Sequence, residues 1–148
     1  MYKLKMLKIY QQTIKNPISF EGIGLHTGKK SKIKVLPALE DEGILFKRVD
    51  LKKNNLIKAN FNNVSSAKLC TTLKNDYGVS VSTVEHLLAA LYISQIDNAI
   101  VEIDNDEVPI MDGSSKDFLE MLEKTEIKIL NKKRNYLKIT DKLKLEDK

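Results

Sequence analysis

Between residues 82 and 94 the apolar side chains fall at Val84, Leu87, Leu88 and Leu91, the three-and-four spacing of an α-helix with one buried stripe. Ser82 followed three residues later by Glu85 has the form of a capping box, so the pattern predicts a helix from Ser82 to about Ser94. A second helical pattern follows Pro109. Ser114 and Asp117 repeat the capping spacing, and Phe118, Leu119, Met121 and Leu122 form an amphipathic segment ending near Lys124. Elsewhere the segments are short and extended. Residues 11–20, 31–36, 43–49, 56–64, 68–73, 79–81 and 99–103 read as strands, separated by turn signals such as Asn54-Asn55, Asn62-Asn63 and Asn75-Asp76. Near the end, Leu137, Ile139, Leu143 and Leu145 alternate with polar residues as a further strand would, or form a frayed, lysine-rich tail. One sheet with two helices on one face is the simplest layering for this order of elements.

The first helix carries the candidate chemistry. On a wheel of about 100° per residue, Glu85 lies on the flank of the apolar stripe and His86 on the opposite side. Ala89, Ala90 and Ile93 share that back side, which predicts a covering surface from another domain or another chain over His86. A carboxylate beside an imidazole is suited to metal-assisted hydrolysis, the imidazole holding an ion and the carboxylate moving a proton. On pattern alone, the capping role of Glu85 and an ordinary role for His86 are the stronger readings, because one imidazole supplies a single metal bond.

Composition removes several alternatives. The single Cys70 excludes an internal disulfide and a multi-cysteine zinc site, and by itself reads as a small buried apolar residue. The net charge of +5 is not spread evenly: residues 1–10 carry +3 and residues 126–148 carry +4, leaving −2 between them. With no aromatic interleaving, this basicity gives no specific nucleic-acid site. No apolar run reaches the length of a transmembrane segment, and the first ten residues lack the apolar core of a signal peptide, so a cytoplasmic protein is expected. Gly22, Gly24 and Gly28 are spaced G-x-G-x-x-x-G between two strands. They read as left-handed turn positions and not as a phosphate-cradling loop. Asp112-Gly113-Ser114 reads as a turn leading into a helix cap.

Four segments add a further reading: Gly22-Ile23-Gly24-Leu25-His26-Thr27-Gly28-Lys29-Lys30, Leu69-Cys70-Thr71-Thr72-Leu73, Ser82-Thr83-Val84-Glu85-His86-Leu87 and Val108-Pro109-Ile110-Met111-Asp112-Gly113-Ser114. In order and spacing they resemble successive signature blocks of the UDP-3-O-acyl-N-acetylglucosamine deacetylases, from about Gln11 to the C-terminal end. The resemblance implies an α+β two-layer sandwich: a mostly antiparallel or mixed sheet, two helices on one face, and a small β insert before the first helix. It implies zinc-dependent hydrolysis of the 2-acetamido group of a UDP-linked, 3-O-acylated amino sugar in lipid A biosynthesis. By the same resemblance Glu85 is the general base, His86 a zinc ligand, Leu69 and Cys70 border the acetamide, and His26 lies near the substrate.

Members of that family have two similar domains with the site between them, the second contributing a His-Lys-x-Phe-Asp block with two more zinc ligands and a further catalytic histidine. Here the only histidines are His26 and His86, and no such block follows. The expected division is a tail at residues 1–10, a first deacetylase domain at 11–131, and at 132–148 the start of a missing second domain or a frayed tail. The expected activity of the 148-residue chain alone is nil. The alternative is a catalytically inactive truncated module with a binding or assembly role.

Overall fold

The computed structural model describes residues 9–146; the tail expected at residues 1–10 therefore lies mostly outside the described residues. Among the described residues ten strands and two α-helices are formed: β1 (Tyr10–Ile14), β2 (Ile18–Ile23), β3 (Lys30–Pro37), β4 (Ile44–Arg48), β5 (Leu56–Lys58), β6 (Val64–Ser66), β7 (Thr72–Lys74), β8 (Ser80–Val81), α1 (Glu85–Ile93), β9 (Ala99–Ile103), α2 (Lys116–Glu123) and β10 (Ile127–Lys133). The fold is α+β. Five strands make a mixed sheet in the order β2-β3-β9-β4-β5, β6-β7-β8 form a small antiparallel sheet before α1, and β1 pairs with β10.

The five-stranded sheet follows from strict alternation. In β3, Ser31, Ile33 and Val35 are buried while Lys30, Lys32 and Lys34 face solvent. In β9, Ala99, Val101 and Ile103 are buried. β9 lies antiparallel to β3 and parallel to β4, and the parallel pairing sets Phe46 beside Val101. The inward residues Phe20, Ile33, Val35, Phe46, Ile57, Val101 and Ile103 form one core with Leu87 and Leu91 of α1 and Phe118 and Leu122 of α2. The other sheet face carries charge, including the Lys47–Glu102 pair at 3.0 Å. Both helices therefore sit on the apolar face. Phe118 and Phe20 meet edge-on with ring centroids 5.1 Å apart, which fastens α2 to β2.

Several expectations need correction. The helix predicted from Ser82 starts at Glu85, and neither capping box forms: no side-chain cap bond is made at Val84 or at Ser115, the residues that precede the two helices. Residues 11–20 do not run as one strand, because Asn16-Pro17 separates β1 from β2. The strand expected at Leu137, Ile139, Leu143 and Leu145 is absent, and those side chains are exposed, Leu145 at 98%. In its place β10, which alternation had not marked, pairs with β1 from Ile14–Ile127 to Tyr10–Lys133. Of the three glycines read as left-handed turns only Gly28 has positive φ, at 64°. Gly22 and Gly24 serve close approach instead, since an added Cβ on Gly22 would lie 2.9 Å from Pro109 Cβ.

The end of α1 follows a Schellman pattern without glycine. The Ile96 N–H donates to Leu91 O at 2.9 Å and the Gln95 N–H to Tyr92 O at 2.9 Å, with Gln95 at φ 59°. Ile96 is buried and covers this C-terminal end of the helix.

Candidate functional site

The chain enters α1 through a short, heavily tied segment. Ser82 lies beside Glu107 in an isolated parallel bridge, its N–H donating to Asp106 O at 2.9 Å and its carbonyl accepting from the Val108 N–H at 3.0 Å. Arg48 reinforces the approach: its guanidinium donates to Ser80 O at 2.8 Å while paired with Asp50 at 2.6 Å. Next, Thr83 adopts φ 56°, an uncommon conformation for a β-branched residue, and α1 begins two residues later. Glu85 and His86 thus occupy the first turn of a helix whose entry is fixed by pairing from a second segment.

Glu85 does not reach back to Ser82. Its Oε2 accepts the Thr71 N–H at 3.0 Å, and the Val84 N–H donates to Thr71 O at 3.4 Å. These bonds dock the loop between β6 and β7 onto the start of α1. That loop carries Leu69, which is 86% exposed at φ 67°, and Cys70, which is half-buried with its sulfur 3.8 Å from Thr72 Oγ1. Cys70 is therefore less enclosed than a small core residue would be. The structure brings Leu69, Cys70 and Glu85 to one end of α1, as a tertiary hydrogen bond and not as a local cap.

His86 is half-buried, and its imidazole has no hydrogen-bond partner among the described residues; its carbonyl accepts the Ser115 hydroxyl at 2.9 Å. The back of α1 divides. Ala89 and Ile93 are exposed, as the wheel predicts, whereas Ala90 is buried in the common core. His26 sits on the exposed turn between β2 and β3, and this turn is held through its backbone. The His26 N–H donates to Glu107 Oε1 at 3.0 Å and the Thr27 N–H to Oε2 at 2.8 Å.

Glu107 was not marked by the sequence, where it is one acid among Asp104, Asp106 and Glu107. In the fold it is fully buried and also accepts the Thr83 hydroxyl at 2.9 Å. Burial pushes its carboxyl up, and the hydrogen bonds from His26, Thr27 and Thr83 together outweigh this, holding it below the ordinary glutamate value. Asp112 behaves as the predicted turn residue, accepting the Ser114 N–H and hydroxyl at 2.9 and 2.8 Å, which lowers its carboxyl as well.

A cleft of about 840 Å³ lies elsewhere, at the C-terminal end of α1 between Tyr92, Ile93, Asp97, Arg134 and Tyr136. None of Glu85, His86, Leu69, Cys70 and His26 lines it. Among the described residues no group of three or more His, Cys, Asp or Glu side chains is placed to hold a metal ion. His86 with Glu85 beside it fits one ligand position of such a site and not a complete coordination set.

Residues 11–148 match the family of UDP-3-O-acyl N-acetylglycosamine deacetylases. The chain belongs to this family. It is 45% identical to the UDP-3-O-acyl-N-acetylglucosamine deacetylase of Pseudoalteromonas atlantica over 139 residues, 94% of this chain and 46% of that protein. With the enzyme of the same name from Blochmanniella floridana the identity is 45% over 140 residues, 94% of this chain and 47% of the relative. With that of Citrifermentans bemidjiense it is 49% over 129 residues, 87% and 42%. The chain thus spans about half the length of the curated deacetylases it matches. No helix among the described residues is long and apolar enough to cross a membrane.

Proposed function

We propose that this chain supplies the first half of a zinc-dependent deacetylase site acting on UDP-3-O-acyl-N-acetylglucosamine in the cytoplasm, a step of lipid A biosynthesis. Glu85 is the general base and His86 one zinc ligand, with Leu69 and Cys70 against the acetamide and His26 near the bound sugar. Family membership supports the substrate class, and the Glu85–Thr71 bond supports the assignment of the base.

The carboxylate has two oxygens with different employment. Oε2 is anchored by the Thr71 N–H, while Oε1 has no partner among the described residues and is available to take a proton. One oxygen fixes the orientation and the other exchanges the proton. When bound, zinc polarises an amide carbonyl and lowers the pKa of water, chemistry that a lone glutamate does not provide. His86 offers its imidazole for that ion beside the base, and successive helix positions diverge by about 100°, so the two side chains do not compete for one coordination point. Glu85 accepts one proton from the attacking water and passes it to the amide nitrogen as the C–N bond breaks; the acid proton of the released acetyl group then goes to the amine, so the products are acetate and the ammonium form of the sugar amine. The remaining ligands belong to the second domain that family members carry.

The test uses two proteins. The 148-residue chain, given zinc and UDP-3-O-acyl-N-acetylglucosamine, is expected to release no acetate. The same chain joined to the portion of the Pseudoalteromonas relative that lies beyond its matched region is expected to be zinc-dependent and active, with kcat lowered about 10²–10⁴-fold by Glu85→Gln. Full turnover by the Glu85→Gln protein removes the base assignment. Robust turnover by the isolated chain removes the half-site reading.

A further inference from the structure

We propose that Glu107 is a positioning residue of the Glu85–His86 site, its buried carboxylate clamping the His26–Thr27 turn to Thr83 and thereby setting where α1 begins; this rests on the reading of Glu85 and His86 above.

The carboxylate is 0% exposed, and its hydrogen-bond donors are neutral, chief among them His26 N–H at 3.0 Å, Thr27 N–H at 2.8 Å and Thr83 hydroxyl at 2.9 Å. No lysine or arginine pairs with it among the described residues. Burying a charge without an ionic partner is costly, so a side chain that only filled space at this point would be better apolar. What an acid alone provides is acceptor capacity on both oxygens. Three donors converge here, and a glutamine would turn its own N–H groups towards two of them.

The origin of those donors gives the clamp its meaning. Two come from the turn that carries His26, and the third stands two residues before Glu85. Thr83 is held at φ 56°, an uncommon conformation for a β-branched residue that persists only where its surroundings enforce it. The Glu107 bond and the pairing of Ser82 beside Glu107 are those surroundings. Gly24 makes room for the arrangement, since a Cβ there would lie 2.4 Å from Glu107 Oε2 and 2.5 Å from Thr27 Oγ1. A continuous set of bonds therefore runs from His26 through Glu107 to Thr83, and along two residues of backbone to Glu85 and its partner Thr71, next to Cys70. Misplacement of about 1 Å in such a set is enough to lower turnover ~10²-fold.

Residue-resolved amide hydrogen exchange on the 148-residue chain tests the clamp without any need for catalysis. In Glu107→Gln, the amide nitrogen replaces one of the two acceptor oxygens that serve His26, Thr27 and Thr83, and the Thr71 amide, which Glu107 never touches, is expected to exchange ~10-fold faster, while Ala90 and Leu91 keep their protection. Thr83→Val should reproduce the Thr71 effect and Thr83→Ser should not, because serine retains the hydroxyl; this pair decides the matter if Glu107→Gln does not fold. In the joined protein, Glu107→Gln is expected to lower kcat ~10-fold or more with KM and bound zinc nearly unchanged. Acceleration spread evenly over all amides, or an unchanged Thr71 amide in Thr83→Val, overturns the positioning role. These exchange results hold whether or not Glu85→Gln retains turnover, so a failure of the clamp and a failure of the base assignment are separable.

Discussion

The two helices open on matching sequence patterns, Ser82 with Glu85 and Ser114 with Asp117, yet each begins by a different physical means. At α1 the serine pairs through its backbone with the segment at Asp106–Val108, and Glu85 is taken by the Thr71 N–H. At α2, Ser114 turns to Asp112, and Ser115 donates its hydroxyl across to His86 O. At α1 a tertiary partner outcompeted the local cap, whereas at α2 Ser114 is held in a local turn with Asp112 and Lys116. The outer faces differ as well. α2 shows Lys116, Glu120 and Lys124 to solvent and is finished for water, whereas α1 leaves Ala89, Tyr92 and Ile93 exposed. α2 is a packed support, and α1, which carries the proposed Glu85–His86 site, has its start fixed by long-range polar ties.

The largest effect that could break this contrast is the loss of the packing that holds α2. Phe118 is fully buried against Phe20, so Phe118→Ala is expected to destabilise the chain by about 3–5 kcal/mol through lost transfer energy and a cavity. Urea denaturation followed by circular dichroism measures it. A cost under about 1 kcal/mol would mean that the core collapses around the gap and that α2 is not fastened by its aromatic contact.

Acid should act on the opposite helix. The Glu107 carboxyl sits below its ordinary value in the fold, so its contribution to stability is complete above the unfolded carboxylate value of about 4.3 and fades as pH falls through the lower folded value. The wild-type chain is therefore expected to lose stability on acidification below about pH 4.3 more steeply than Glu107→Gln. Amide exchange should show the entry to α1 opening before α2, because Asp112, in the turn before α2, is solvent-exposed and fastens only its own turn. Parallel acid profiles for the two proteins would show that Glu107 is not what acid removes.

What the sequence made legible depended on whether the governing interaction was periodic. β3 and β9 were readable because alternation of Lys30, Lys32 and Lys34 with Ser31, Ile33 and Val35 is a signature of a half-buried strand, and Val84, Leu87 and Leu91 marked α1 just as directly. β10 was obscured because only Leu130 of its seven residues is fully buried, leaving no apolar period to detect. The alternation of Leu137 with Ile139 pointed to a strand that has no partner among the described residues and does not form. At the site, Glu85 and His86 stood out as a motif, but the bonds that place them join residues 14 and 24 positions apart, Thr71 to Glu85 and Thr83 to Glu107. No local pattern distinguishes Glu107 from its acidic neighbours. Only the convergence of donors in the fold does.

The smallest expected effect tests whether α2 contributes to the site or only to the core. Ser115 links the helices through one hydroxyl donated to His86 O at 2.9 Å, and this bond lies on the backbone of the proposed zinc ligand. Ser115→Ala deletes the donor without enlarging the core, since Ser115 is only partly buried, and a single neutral hydrogen bond is worth about 0.5–1.5 kcal/mol. Thermal denaturation should register a loss in that range. If α2 serves only as packing, the change ends there; if it also steadies the first turn of α1, the His86 ring resonances should broaden or shift in Ser115→Ala while those of His26, on a separate turn, stay in place. Identical His86 spectra in the two proteins would confine α2 to the hydrophobic core and leave the placement of His86 to the ties at the start of its own helix.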